Sequence, residues 1–177
     1  MDIQTFLDLC VGKWLSQRTT HCLDEEKAEN NKTEIVIEWL ASDDERLVGL
    51  CQQVEVDPSS TLGGLCASWD TTASWDRSAQ RGATVIVLLP DGNNPEDGQL
   101  FQSTAQSSSV LSGHYSLGAD EALTLKLEQD STHWQERIWF ASPNLRLRNS
   151  LILGKEGQKN TAFYSEIRRM PPKDKEE

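Results

Sequence analysis

Histidine is scarce in this chain, with 3 in 177 residues, and no Ser/His/Asp arrangement, glycine-rich phosphate loop or HExxH helix can be found. Hydrolase, kinase and dehydrogenase chemistry is left without residues to carry it. Cysteine is sparse as well: Cys10, Cys22, Cys51 and Cys66 lie far apart, with neither a CxxC pair nor the Cys/His rhythm of a zinc site. They read as reduced thiols, mostly core. His21 beside Cys22 is the nearest approach to a metal pair, but neighbours in a strand face opposite ways, so no metal site is expected. Positive charge is short, 17 Lys and Arg against 28 Asp and Glu, and a net charge of -11 excludes general nucleic-acid binding, which needs a positive footprint. No apolar run is long enough to span a bilayer and no basic segment leads into an apolar one. Membrane insertion is not expected, and the simplest location is the cytoplasm.

What is present is alternation. Asp2 can cap a short helix in which Ile3, Phe6, Leu7 and Cys10 repeat at helical spacing before Gly12 ends it. The period then changes to two, and strands are predicted over 14–23, 33–40, 46–56, 65–75, 84–89, 100–105, 110–117, 122–129, 133–140, 145–153 and 161–169. Tight turns separate them, among them Asp91-Gly92-Asn93-Asn94 and Ser142-Pro143-Asn144. Many short strands joined this way form a meander, and closing it removes the edges that invite aggregation. The fold class read from the sequence is therefore all-β: an antiparallel up-and-down β-barrel with a short N-terminal helix, a single domain over 1–170. The charged, proline-led segment 171–177 reads as a disordered tail.

Arg146 and Arg148 stand two apart in the predicted strand 145–153, so one face of it carries two permanent cations. Such a pair is solvated, matched by internal acids, or built for an anionic ligand. Gly12-Lys13-Trp14 after the helix is the Gly-x-Trp signal of lipocalin-like (fatty-acid-binding-protein-like) barrels, where a late arginine covers the tryptophan ring, so one of the two could simply cap the barrel. By parity Trp14, Ser16, Arg18, Thr20 and Cys22 share a face, and His21 points the other way unless the strand bulges. Three inward cations would need counter-charge. Of the 6 tryptophans, Trp39 and Trp134 read as core, whereas Trp69, Trp75 and Trp139 are candidates for a ligand wall. Flat rings beside arginines suit an extended conjugated molecule carrying carboxylates. Tyr164, Glu166 and Arg168 share a face of the last strand, with Glu166 either at the rim or inside, where it could exchange protons with a ligand.

Residues 1–3 with Gly12-Lys13-Trp14 and Ser16-Gln17-Arg18-Thr19, the block Glu136-Arg137-Ile138-Trp139-Phe140-Ala141-Ser142-Pro143-Asn144-Leu145-Arg146-Leu147-Arg148, and Ser165-Glu166-Ile167-Arg168-Arg169 resemble the S-type phycobiliprotein lyases, the CpcS/CpeS family of chromophore lyases. The resemblance covers nearly the whole chain. It implies an enzyme that binds a linear tetrapyrrole such as phycocyanobilin and attaches it through a thioether to a cysteine of an apo-phycobiliprotein subunit of phycocyanin or allophycocyanin type. It implies a bilin as substrate and no tightly bound cofactor. Arg146 and Arg148, with Arg18, would hold the propionates; Trp69, Trp75 and Trp139 would stack along the pyrroles; Glu166, Arg18 and His21 would serve catalysis. If His21 faces outward it would meet the acceptor subunit instead. Cys22 shares the Arg18 face and is read as a structural thiol. A bilin carrier of lipocalin type and an accessory subunit of a heteromeric lyase are the alternatives, and homodimerisation is left open.

Overall fold

The structure, a computed structural model, describes residues 1–24, 27–70, 81–104, 107–155 and 157–169. The candidate Trp75 and the segment 171–177 lie outside the described residues. Helix α1 (Ile3–Cys10) leads into β1 (Gly12–Cys22) and β2 (Lys27–Leu40); α2 (Glu45–Gln53) and a 3-10 turn (Pro58–Ser60) precede β3 (Gly64–Asp70). There follow β4 (Arg81–Asp91), β5 (Asn94–Thr104), β6 (Ser107–Leu117), β7 (Leu123–Gln129), β8 (Thr132–Ser142), β9 (Leu145–Leu153) and β10 (Lys159–Arg168). Each strand pairs antiparallel with its sequence neighbours, and β10 closes on β1, so the meander is a closed ten-stranded barrel. Closure of this kind leaves no free sheet edge among the paired segments.

The segment 46–56, predicted as a strand, is instead mostly the helix α2. Leu47, Leu50 and Cys51 recur at helical spacing, and the Asp44 carboxylate caps the helix by accepting from the Arg46 N–H. The three apolar residues bury against Leu40, Cys66, Val87 and Phe101 on the outside of the barrel, a second core separate from the interior. A short apolar run is ambiguous between periods of two and 3.6, and here the cap decided it.

Helix α1 plugs one end. The Asp2 carboxylate accepts from the Thr5 N–H at 2.7 Å, and Ile3, Phe6, Leu7 and Cys10 turn inward, Phe6 meeting Phe140 edge-on at 5.1 Å. Gly12 turns the chain from helix to strand at φ +132°, and a Cβ there would lie 2.6 Å from the Arg168 guanidinium. Only glycine fits. Trp14 forms the floor: its indole N–H donates to the Cys10 carbonyl at 2.9 Å, and Arg168 covers its ring at 4.2 Å. Arg168 also donates to the carbonyls of Leu9, Val11 and Pro143, tying helix, first strand and β8–β9 turn together. The late arginine anticipated over the Gly-x-Trp ring is thus chiefly Arg168, joined by Arg146 at 4.8 Å.

Candidate functional site

Above this floor the barrel encloses a cavity of ≈ 1320 Å³, beyond the roughly 300–1,000 Å³ usual for small-molecule sites. Its walls differ. The wall from β2 to β7 presents Ile35, Ile37, Leu65, Ile86, Leu88, Leu111, Leu123, Leu125 and Leu127, with Glu29, Asn30, Asn31, Lys32 and Thr33 of β2 adding a polar margin. The wall made by β1 and β8 to β10 presents Ser16, Arg18, Glu136, Arg146, Arg148, Ser150 and Tyr164. Antiparallel register produces the second set: Ser16, Glu166, Arg146 and Phe140 are opposite one another in successive strands, and Arg18, Tyr164, Arg148 and Ile138 form the next row.

The two late arginines behave differently. Arg146 is 5% exposed and its Nε donates to Glu166 at 2.6 Å, while its guanidinium lies over Trp14. Arg148 stacks on Tyr164 at 3.9 Å and reaches Glu136 and Glu166 only at 3.4 Å. Its Nε is buried with no hydrogen-bond partner among the described residues, a state that costs roughly 1–3 kcal/mol or more until a partner arrives. Arg18, opposite Tyr164 in register, lines the cavity, is open to solvent and makes no ion pair with any described residue. Arg146 is tied to the barrel by Glu166 and Trp14, Arg148 keeps an Nε without an acceptor, and Arg18 has no ion-pair partner among the described residues.

Glu166 is fully buried behind Arg146 and Arg148 and accepts from Ser16 at 3.1 Å. Burial pushes its carboxyl up, but Arg148, Arg146 and the hydrogen bonds from Arg146 and Ser16 outweigh it, holding the group below the ordinary glutamate range. It is not part of the cavity lining. Burial opposes the charge on Arg148 too, and Glu136 and Glu166 together raise its pKa above the ordinary value. Glu136 lines the cavity one row further from the floor, half-buried and beside Arg148. It was not singled out in the sequence, although it alternates with Trp134 and Ile138, an acid on an otherwise apolar face. Cys10 also lines the cavity, and burial pushes its thiol up, with Arg146 opposing in part, so it remains protonated.

Trp69 lines the cavity as expected, lying flat over its cross-strand partner Gly82, where a Cβ would come within 2.3 Å of the ring. Trp139 does not. It alternates with inward Ile138 and Phe140, faces outward, and packs on exposed Phe163 at 6.4 Å, so its expected place along an enclosed ligand is corrected. His21 also faces outward: the β1 register runs unbroken from Trp14 to Cys22 against both neighbours, with no bulge to turn it in. Cys22 is half-buried at the far end of β1.

The pattern of the family described as CpeS-like protein matches residues 2–169. A chromophore lyase CpcS/CpeS from Thermosynechococcus vestitus is 40% identical over 169 residues, 95% of this chain and 93% of the relative. A phycocyanobilin lyase subunit CpcS from Picosynechococcus is 35% identical over 170 residues, 94% of this chain and 86% of the relative. The solved structure of an S-type phycobiliprotein lyase CPES from Guillardia theta superposes with a TM-score of 0.84 at 27% identity, covering 97% of this chain and 94% of that one.

Proposed function

The chain belongs to the CpeS-like family, and from that premise we propose that it is a chromophore lyase. It takes a linear tetrapyrrole of phycocyanobilin type into the barrel and delivers it to a cysteine thiol of an apo-phycobiliprotein subunit. The observation that carries this reading is the pairing of Arg18 and Arg148 on one wall of a cavity whose opposite wall is apolar near the plug and turns polar along Glu29 to Thr33 of β2. A bilin has two propionates on its central rings and apolar edges elsewhere. Bidentate contact between guanidinium and carboxylate would fix those propionates, and Trp69 would stack on a pyrrole face.

In the transfer step the acceptor sulfur forms a C–S bond to the ethylidene carbon of ring A, and the thiol proton ends on the neighbouring ring carbon. No group leaves and no electron carrier is needed. Glu136, facing the cavity beside Arg148, would pair with the pyrrole N–H groups and support the protonated, more electrophilic bilin. Glu166, sealed behind the arginines and ionised, acts by positioning Arg146 and Arg148. Most of the acceleration comes from holding ring A against one thiol. The Picosynechococcus relative is named a lyase subunit, which favours as second reading a heteromer in which this chain is one component.

The test mixes the purified protein, phycocyanobilin and an apo-phycocyanin or apo-allophycocyanin subunit, then denatures. Colour retained on the subunit well above the lyase-free control is the expected outcome. Bilin that binds and never transfers would assign the chain as a carrier, or as a subunit if a related partner restores transfer.

A further inference from the structure

Six large hydrophobic side chains stand in water among the described residues: Met1, Leu23, Leu151, Leu153, Phe163 and Ile167. All but Met1 lie on the outer face of β9 and β10 or on the turn after β1. Phe163 and Ile167 are 47% and 53% exposed. Leu15 and Leu145 flank Ile167 in register, and Leu147 joins Trp139, whose ring packs on Phe163, so the row is continuous. Clustering on one face, rather than scattering, marks an interaction surface.

Charge on this face is as uneven as hydrophobicity. Of the chain's 28 acids, β1, β8, β9 and β10 contain only Glu136 and Glu166, and both point inward. Lys13 and Lys159 point outward, as does Arg137, which is ion-paired to Asp120 in the β6–β7 turn. A second copy docked through the same face would set Lys13 and Lys159 against their own equivalents with no carboxylate of these four strands to meet them. An acidic partner with an apolar centre fits. The same four strands carry Arg18 and Arg148 on their inner side, and Leu23, Leu151, Leu153 and His21 lie towards the end away from the α1 plug.

We propose that the outer face of β1, β8, β9 and β10 docks the acceptor subunit, meeting an apolar patch margined by acids. The inference rests on the lyase reading, because a thiol on another protein must be held beside the cavity that holds the ligand. It also gives outward His21 and Trp139 a common surface.

The direct test is the affinity of an apo-phycocyanin subunit for the phycocyanobilin-loaded protein, compared with Phe163→Ser and Lys159→Glu. Both positions are exposed, and each variant is first checked for unaltered bilin absorbance. The expected result is affinity weakened about tenfold in each, with added salt eroding the difference for Lys159→Glu. Unaltered affinity in both variants overturns the proposal, as does a wild-type protein that does not bind the subunit. Sedimentation in which Phe163→Ser converts a dimer to a monomer without weakening subunit affinity also overturns it, assigning the face to a second copy. Transfer scored in parallel judges the lyase reading separately.

Discussion

The floor of the barrel and the wall above it use arginine to opposite ends. On the floor, Arg168 gives all three of its nitrogens to the carbonyls of Leu9, Val11 and Pro143, Arg146 gives its Nε to Glu166, and both guanidinium groups cover Trp14. On the wall, Arg148 has two long contacts and an unsatisfied Nε, and Arg18 has no ion-pair partner among the described residues. Arginine is structural where fixed acceptors consume its fork, and available to a ligand where they do not. Sequence position does not separate the two cases; Arg146 and Arg148 are two residues apart.

The sharpest break of this contrast is Glu166→Ala, which leaves two buried guanidinium groups without their shared carboxylate. Breaking a buried pair costs about 3–5 kcal/mol, so thermal unfolding is expected about 10 °C or more lower. Arg146→Ala is next, with a loss of about 3 kcal/mol and bilin affinity within about threefold of wild type once folded. Arg148→Ala reverses that pattern: the melting temperature falls less than in Arg146→Ala, because the pair it loses is longer and an unpartnered Nε goes with it, while bilin affinity falls about 10- to 100-fold, as loss of a charge-assisted hydrogen bond implies. Both are read by differential scanning calorimetry and absorbance titration.

Acid separates floor from wall by another route. Because the Glu166 carboxyl is held below its ordinary value in the folded chain, its contribution is complete above the unfolded glutamate pKa of about 4.3 and is lost as pH falls through the lower folded value. Urea unfolding across that range should therefore show an acid limb that is shallower in Glu166→Gln. An equal slope would remove Glu166 from the floor's stability. The smallest effect expected is at Gly82→Ala, where the new methyl must push the Trp69 ring aside; a shift of the bound-bilin absorbance with near-normal melting would show it.

Much of this was legible in the chain. Helix α1, its Asp2 cap, the meander, the face shared by Arg146 and Arg148 and the face shared by Trp14 and Arg18 followed from period and parity, whereas Glu166 was left between rim and interior. What parity could not supply is register. Trp139 alternates with Ile138 and Phe140, but which set faces inward is decided by pairing with Arg146 and Arg148 across β9. His133, Gln135 and Arg137, on the same parity as Trp139, were the available signal that this face is outward. Helix α2 escaped because its few apolar residues fit either period. The polar start of β5, Asn94 to Gly98, hid the first half of a strand predicted only from 100, behind turn-forming residues. The division of labour between Arg146 and Arg148 was not legible, since it depends on distances of 2.6 and 3.4 Å to one carboxylate.

The most direct measurement of that division titrates phycocyanobilin and its propionate dimethyl ester against wild type, Arg146→Ala and Arg148→Ala. The ester should bind wild type and Arg146→Ala more weakly than the free acid by similar factors, and Arg148→Ala should scarcely distinguish the two. Full discrimination retained by Arg148→Ala and lost in Arg146→Ala would contradict the assignment of Arg148 to the ligand and Arg146 to the floor.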